Sequence, residues 1–456
     1  MSTDLFPRTT VIVAAVVAVA VCSSCAPQAT QDRPNIVFLF SDDHSVPDLG
    51  SYGNPTVHTP NLDGLAAEGM RFNRAYVTSP QCSPSRASIL TGRVPHDVHA
   101  SRLHAAVPEY DTNLVELLND VGYFTGAYRK VHQPNIQDDF DFYGDFEEPL
   151  GTFFENRPED QPFFLWFGST DPHRIYEAGA FDPPHDPAEV TVPPFLPDTP
   201  EVRQDLAHYY DEIARFDREC GEILELLEKQ GVSDTTMVVM AGDNGLPFPR
   251  AKATMYEPGI RVPLLIRWPG TVAPGQVSDE LVSLMDLTAT WLEAAGIDPP
   301  AQMQSRSLVG LLGGGQGPHE YVFSERNWHD NWDPLRVVVG RRYKLIQNYR
   351  PEVPYRPSLD IIDSPSWAVI ARLIEAGQLR GNLEWYGLPN RPKVELYDLE
   401  TDPWEWNNLA DDPQYRDLVD ELLGVLSDWI RDTNDFLPPI KGAFPDAPRY
   451  RGLDPV

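Results

Sequence analysis

The sequence predicts an α/β fold, with a mostly parallel central sheet sandwiched by helices and then a smaller C-terminal antiparallel sheet with a closing helix. Three observations carry this. Short apolar runs with β-branched or aromatic centres alternate with amphipathic stretches, the order expected of strand–helix–strand units. Four of the runs break off into polar residues at their carboxyl ends, where open α/β sheets bind ligands. Past a Gly-rich break at 313–318, further strand-like runs gather in the last third of the chain.

The elements follow in order. Residues 35–40 are apolar around a β-branched centre and read as a buried strand, ending in Ser41-Asp42-Asp43-His44. Thr59-Pro60 opens a helix to Met70, with proline in the first turn, where its missing N–H costs nothing. Residues 85–90 open a helix directly behind Cys82. Residues 113–121 form an amphipathic helix, and 124–128 a strand leading to Arg129-Lys130-Val131-His132. The strand at 163–168 runs into Ser169-Thr170-Asp171-Pro172-His173. A helix over 206–229 holds Cys220 as a buried apolar filler. The strand at 236–241 runs into Gly242-Asp243-Asn244-Gly245, and 262–268 is one more. Beyond the break, 321–325, 335–339, 343–347 and 394–399 read as strands, and 413–430 as the closing helix. Residues 360–380 read as an insertion with some helical pattern and no evident chemistry. The division this implies is a main domain over 33–316 and a C-terminal α+β subdomain over 319–456.

Of the 456 residues 41% are hydrophobic, enough for a sizeable core, and 45 prolines imply many ordered loops. The formal net charge is −32, from 68 acidic and 36 basic residues. That balance argues against nucleic acid as a partner, which needs a basic face. Any anion site must therefore be a local basic pocket. The excess also favours solubility in saline media. At the N-terminus, Arg8 precedes an apolar run at 11–21 and then Ser23-Ser24-Cys25. The run is short for a bilayer span and fits the core of an export signal over 1–25. The small residues before Cys25 resemble a lipoprotein cleavage site, implying a lipid anchor and a periplasmic or cell-surface location. Only four cysteines occur, Cys22, Cys25, Cys82 and Cys220, so the chain has no disulfide framework.

The candidate chemistry begins with Asp42-Asp43. Paired carboxylates at a strand end are costly unless a cation neutralises them, and hard oxygen ligands suit calcium or magnesium. Alone, such a pair is more often a cap or a turn. Asp243-Asn244, at a second strand end, supplies carboxylate and amide oxygens for the same kind of ion. Cys82 by itself reads as a buried small residue at a turn or as a thiolate nucleophile beside Arg86.

The run Cys82-Ser83-Pro84-Ser85-Arg86-Ala87-Ser88-Ile89-Leu90-Thr91-Gly92-Arg93 resembles the signature of type I sulfatases, of the alkaline phosphatase-like superfamily. Gly122-Tyr123-Phe124-Thr125 followed by Lys130-x-His132 resembles a second family block, with Arg129 where the family carries glycine. Asp171-Pro172-His173 and Tyr256-Glu257-Pro258-Gly259-Ile260-Arg261 resemble two more. The runs 243–249 and 395–399 are similar to the sulfamidase, or N-sulfoglucosamine sulfohydrolase-like, branch.

The resemblance implies a sulfatase that acts on a sulfated glycan, as an O-sulfate or an N-sulfate. It implies that a maturation enzyme oxidises Cys82 to formylglycine, whose hydrate is the nucleophile. It implies one calcium ion on Asp42, Asp43, Asp243, Asn244 and the modified Cys82. Arg86 and Lys130 would position the nucleophile. His132 would act as the base, and His173 and Lys252 would contact the sulfate or the leaving group. His104 and Arg174 are candidate sugar contacts. Two other functions compete: a phosphate or phosphonate monoester hydrolase of the same superfamily, and a non-catalytic glycan-binding lipoprotein with an unmodified cysteine.

Overall fold

Four apolar strands lie side by side at the centre of the molecule. The computed structural model describes residues 1–2, 33–177 and 179–437; the apolar run at 11–21, Cys22 and Cys25 lie outside the described residues. An eight-stranded sheet runs in the order Gln276–Ser278, Met70–Phe72, Leu264–Arg267, Thr236–Gly242, Asn35–Ser41, Phe163–Gly168, Phe124–Arg129, Phe142–Gly144. Leu264–Arg267 runs antiparallel to both its neighbours, and the other pairings are parallel.

The central strand is buried along its whole length, and its alternation serves two cores. Ile36, Phe38 and Phe40 face one layer, with the helices Cys82–Thr91, Leu114–Asp120 and Asp286–Ala294. Val37 and Leu39 face the other, with Pro60–Glu68 and the long helix Pro200–Lys229. A strand covered on both faces has to be apolar at every position, which is why 35–40 reads as an unbroken run. Cys220 is fully buried in the second layer, as its place in an amphipathic helix implies.

Several boundaries differ from those read in the sequence. The long helix begins at Pro200, capped by Thr199 Oγ1 accepting from Val202 N at 3.4 Å, six residues before its strongest apolar periodicity. The run at 262–268 is two strands, Arg261–Val262 and Leu264–Arg267, interrupted at Pro263, which has no N–H to donate. The helix opening at Pro60 stops at Glu68, and Met70 already belongs to a strand. The closing helix is a short 3₁₀ turn, Pro413–Tyr415, followed by Arg416–Asp432.

The C-terminal strands Val322–Trp328, Trp332–Val339, Tyr343–Asn348 and Val394–Asp398 form one antiparallel sheet in that order. Val338, Leu345 and Leu396 on this sheet share a core with Leu422, Leu426 and Ile430 of the closing helix. The first of these strands also touches the signature region. Glu325 N donates to Thr78 O at 2.8 Å, and Gln81 Nε2 to Trp328 O at 3.0 Å. Both sheets belong to the compact unit that begins at Arg33.

Candidate active site

Register decides where the chemistry gathers. Ser41 pairs with Gly242, Phe40 with Gly168, and Gly168 with Arg129, so four neighbouring parallel strands end nearly level. The next residues on those strands are Asp42-Asp43, Asp243-Asn244, Ser169 to His173, and Lys130 to His132. Close backbone approaches hold the edge together. A Cβ on Gly168 would sit 2.0 Å from Lys130 O, and one on Gly245 1.7 Å from Pro258 O, so only glycine fits at either.

Cys82 enters this edge as the first residue of the helix Cys82–Thr91, whose ten residues are all buried. The chain leaves the helix through Gly92 in the left-handed conformation, with Gly92 N donating to Ser88 O at 2.8 Å. A helix buried on every side cannot show an amphipathic period. The free N–H groups of its first turn favour negative charge beside Cys82.

The ligand atoms of Asp42, Asp43, Cys82 and Asp243 all lie within 4.8 Å of one another and are buried. Asn244 Nδ2 donates to Asp43 Oδ1 at 2.7 Å. Asn244 Oδ1 and Asp42 Oδ1 are buried without a hydrogen-bond partner. Two orphaned oxygens beside two further carboxylates are what a hard divalent cation would satisfy, so the residues fit calcium or magnesium. The strain fits as well: Asp43, Arg129, His132 and His104 have φ of 68°, 58°, 64° and 62°, a region non-glycine residues avoid unless their surroundings impose it. Arg129 keeps that conformation at a position where the sulfatase pattern has glycine. Its guanidinium bonds Glu219 at 2.7 Å and lies over Phe167 and Phe146.

The cations interleave with these carboxylates. Arg86 is fully buried, donating from Nε to Asp243 Oδ2 at 2.8 Å and from Nη1 to Lys130 O at 2.6 Å, over the ring of Phe40. Lys130 Nζ donates to Asp42 Oδ2. Lys252 Nζ lies 2.7 Å from Asp43 Oδ2 and 2.5 Å from Asp360 Oδ2. His173 Nε2 is 3.8 Å from Asp43 Oδ2 and 3.6 Å from Asp360 Oδ2, with Nδ1 on the Arg174 carbonyl. His132 Nε2 and His104 Nδ1 are 2.8 Å apart.

Their protonation follows from burial and charge. Burial, and next the Asp42 charge, push Asp243 up to about 7. Burial also pushes Asp42 up, but Lys130, His173, Arg86 and Lys252 together hold it well below the usual carboxylate range. Burial, then Lys130 and Arg86, bring His132 down to about 3, leaving a neutral ring able to accept a proton. Burial and Asp42 raise the Cys82 thiol well above its ordinary value, so the encoded side chain is a neutral thiol in this charge set.

Of the residues singled out in the sequence, Asp42, Asp43, Cys82, Arg86, Lys130, His132, His173, Asp243, Asn244 and Lys252 converge here. His104 joins them at the exposed side through His132. Arg174 does not, which corrects its reading as a sugar contact. Its two Nη atoms bond Asp205 at 2.8 Å each, Nε donates to Pro247 O at 2.7 Å, and the guanidinium is sandwiched between Tyr176 and Phe248. Three of its five N–H donors are engaged this way, and the side chain is only 6% exposed, so it is turned away from a ligand. The insertion at 360–380 is the second correction. It contains the helices Leu359–Ile362 and Pro365–Glu375, and Asp360 reaches Lys252 and His173. His329 and Asp330 flank the same loop: Asp330 Oδ2 accepts from Leu359 N at 2.7 Å and pairs with His329 Nδ1 at 2.8 Å. No local pattern marks these three residues, because only folding brings them within reach of the strand ends.

Comparison with known proteins gives the family. The family model described as Sulfatase matches residues 34–153 and 146–297. The model described as N-sulphoglucosamine sulphohydrolase, C-terminal, matches 250–365. The chain is 32% identical over 477 residues to the N-sulphoglucosamine sulphohydrolase of Homo sapiens, covering 88% of this chain and 91% of that protein. It is 29% identical over 470 residues to an ulvan-active sulfatase of Formosa agariphila, covering 89% and 76%. Among solved structures, a protein in complex with its substrate D-glucosamine-2-N,6-O-disulfate shares the fold with a TM-score of 0.69, at 21% identity over 90% of this chain and 100% of that one.

Proposed function

The chain belongs to the sulfatase family and is a sulfuric ester hydrolase, and on that premise we propose that it removes sulfate from a sulfated carbohydrate using Cys82 matured to formylglycine and one calcium ion. The observation that carries this reading is the convergence of Cys82 with Asp42, Asp43 and Asp243 inside a ring of Arg86, Lys130 and Lys252. When bound, the ion would supply charge stabilisation for sulfuryl oxygens, and the aldehyde hydrate would supply a nucleophile with two oxygens on one carbon.

The chain's own residues then divide the work. Asp42, Asp43, Asp243 and the Asn244 amide oxygen hold the ion. Arg86 is fixed at both ends, by Asp243 and the Lys130 carbonyl, and presents a rigid positive wall behind residue 82. Lys130 and Lys252 donate to the nucleophile and to sulfuryl oxygens, where preorganised charge in a buried site is most effective. His132, neutral beside Lys130, accepts a proton from the side of residue 82. His173, a half-buried imidazole, donates one to the leaving oxygen or nitrogen. His104 braces His132 at the mouth.

The substrate class rests on the names of relatives: one acts on N-sulfoglucosamine and another on ulvan, both sulfated saccharides. For the location, the segment 1–25 supports export to the periplasm or cell surface, with Cys25 as the lipid-bearing residue. The deciding experiment is co-expression with a formylglycine-generating enzyme, mass spectrometry of the peptide bearing Cys82, and assay of sulfate release from defined oligosaccharides. An aldehyde together with sulfate release supports the reading; a persistent thiol in a protein that still releases sulfate overturns it. Export is tested by fractionating cells that make the full chain or its Cys25→Ala variant.

A further inference from the structure

Asp360 adds a carboxylate at the one place where a sulfuryl-transfer site would want only cations. Its Oδ2 lies 2.5 Å from Lys252 Nζ and 3.6 Å from His173 Nε2. The ligand atoms of Asp43, His173 and Asp360 fall within 4.8 Å of one another. Burial pushes Asp360 up, but Lys252, then His329, hold it below the usual carboxylate range, so it is charged at neutral pH. An ammonium has three donors. Asp43 and Asp360 take two of them, leaving Lys252 one for a ligand oxygen.

A fixed negative charge beside a bound anion repels it in proportion to the anion's own charge. The proposed reaction changes that charge. The sulfate ester enters as a monoanion; one proton goes to the leaving group and a second, from the other hydroxyl on residue 82, to His132, so free sulfate leaves as a dianion. Four carboxylates (Asp42, Asp43, Asp243, Asp360) face three permanent cations (Arg86, Lys130, Lys252). Once His173 has given its proton to the leaving group, a divalent ion would bring that set to a single net positive charge, too little to balance a dianion. Without Asp360 the balance would shift by one unit toward retaining the product.

We propose that Asp360 is a specificity-determining residue of the anion subsite, which favours the singly charged ester over doubly charged free sulfate and so speeds product release. The proposal rests on the sulfatase reading of this site. Like-charge repulsion against an unwanted ligand is a recognised route to discrimination.

The test compares two anions that differ mainly by one charge, methyl sulfate and inorganic sulfate. Calorimetry measures their binding to calcium-loaded protein with Cys82 left unmodified, as wild type and as Asp360→Asn. Removing one charge should tighten methyl sulfate by about threefold and inorganic sulfate by about tenfold, because the repulsion lost doubles with ligand charge. In matured enzyme, product inhibition by sulfate should strengthen by the same larger factor. Asp360→Ala, with a thermal melt, is the second variant should the amide perturb the loop. Equal factors for the two anions would mean a merely structural role and overturn the proposal, leaving the sulfatase reading intact. Failure of either anion to bind wild type, with no aryl sulfate turnover in matured enzyme, would overturn the sulfatase reading and this inference with it.

Discussion

Arg86 Nε donates to Asp243 Oδ2 at 2.8 Å, and both side chains are fully buried although 157 residues separate them. The pair joins the helix that carries Cys82 to the strand end that carries Asp243 and Asn244, two of the five candidate metal ligands. Removing one member of a buried pair leaves the other uncompensated and costs about 3–5 kcal/mol. Arg86→Ala should therefore lower the urea midpoint as well as turnover. A variant with unchanged stability would show that the pair does not brace the site.

Cys82→Ala should abolish sulfate release. The thiol is small and buried, and its Sγ makes no more than a long contact to Asp43 Oδ1 at 3.9 Å, so stability should move by only about 1 kcal/mol. Retained activity in this variant would remove residue 82 from the mechanism.

Calcium should raise the melting temperature of the wild-type chain. A ligand that binds only the folded state at a hundred times its dissociation constant stabilises by about 2.7 kcal/mol. Asp42→Asn and Asn244→Ala each remove an oxygen donor or its charge and should shrink that shift. A calcium response of equal size in all three proteins would place the ion elsewhere.

The pH dependence of stability should carry a contribution from His96. Burial works against its charge, but Glu325, with Asp435 behind it, outweighs burial and raises the imidazole above its ordinary value. Nδ1 pairs with Glu325, Nε2 lies 3.1 Å from Thr433 O, and Arg336 binds Asp435 and approaches Glu325. A raised folded value means that the stabilisation is complete below the ordinary histidine value, about 6.5. It is lost as pH rises through the folded value. Denaturant titrations from mildly acidic to alkaline pH should show this slope in wild type and not in His96→Gln. Parallel curves for the two proteins would refute it.

Arg174→Ala tests the corrected role of that residue. Losing the bidentate pair with Asp205 should destabilise the protein by about 3 kcal/mol. The KM for a small aryl sulfate should stay within about twofold of wild type, less than 0.5 kcal/mol. A large rise in KM without loss of stability would restore Arg174 as a substrate contact.

Much of the site was legible before folding, because its residues ride on local signals. Asp42-Asp43, Lys130, His173 and Asp243-Asn244 each follow an apolar run, and a buried parallel strand must be apolar until it leaves the sheet. The Cys82 to Arg93 run lies within one helix and its cap, so its spacing survives intact in the structure. Arg174 misled because an arginine beside a candidate histidine looks available in sequence, while Asp205 and the rings of Tyr176 and Phe248 that enclose it come from distant elements.

By itself the sequence determined the alternation of strands and helices, the family pattern around Cys82, and the residues that would carry the chemistry. Periodicity and short motifs act over a few neighbours, so they can be read in order along the chain. The tertiary structure decided the level register of four strand ends, the commitment of Arg174 to Asp205, and the arrival of Asp360 beside Lys252. Those outcomes depend on pairings across tens to hundreds of residues, where close packing and the pairing of buried charge select the partner and no local signal names it.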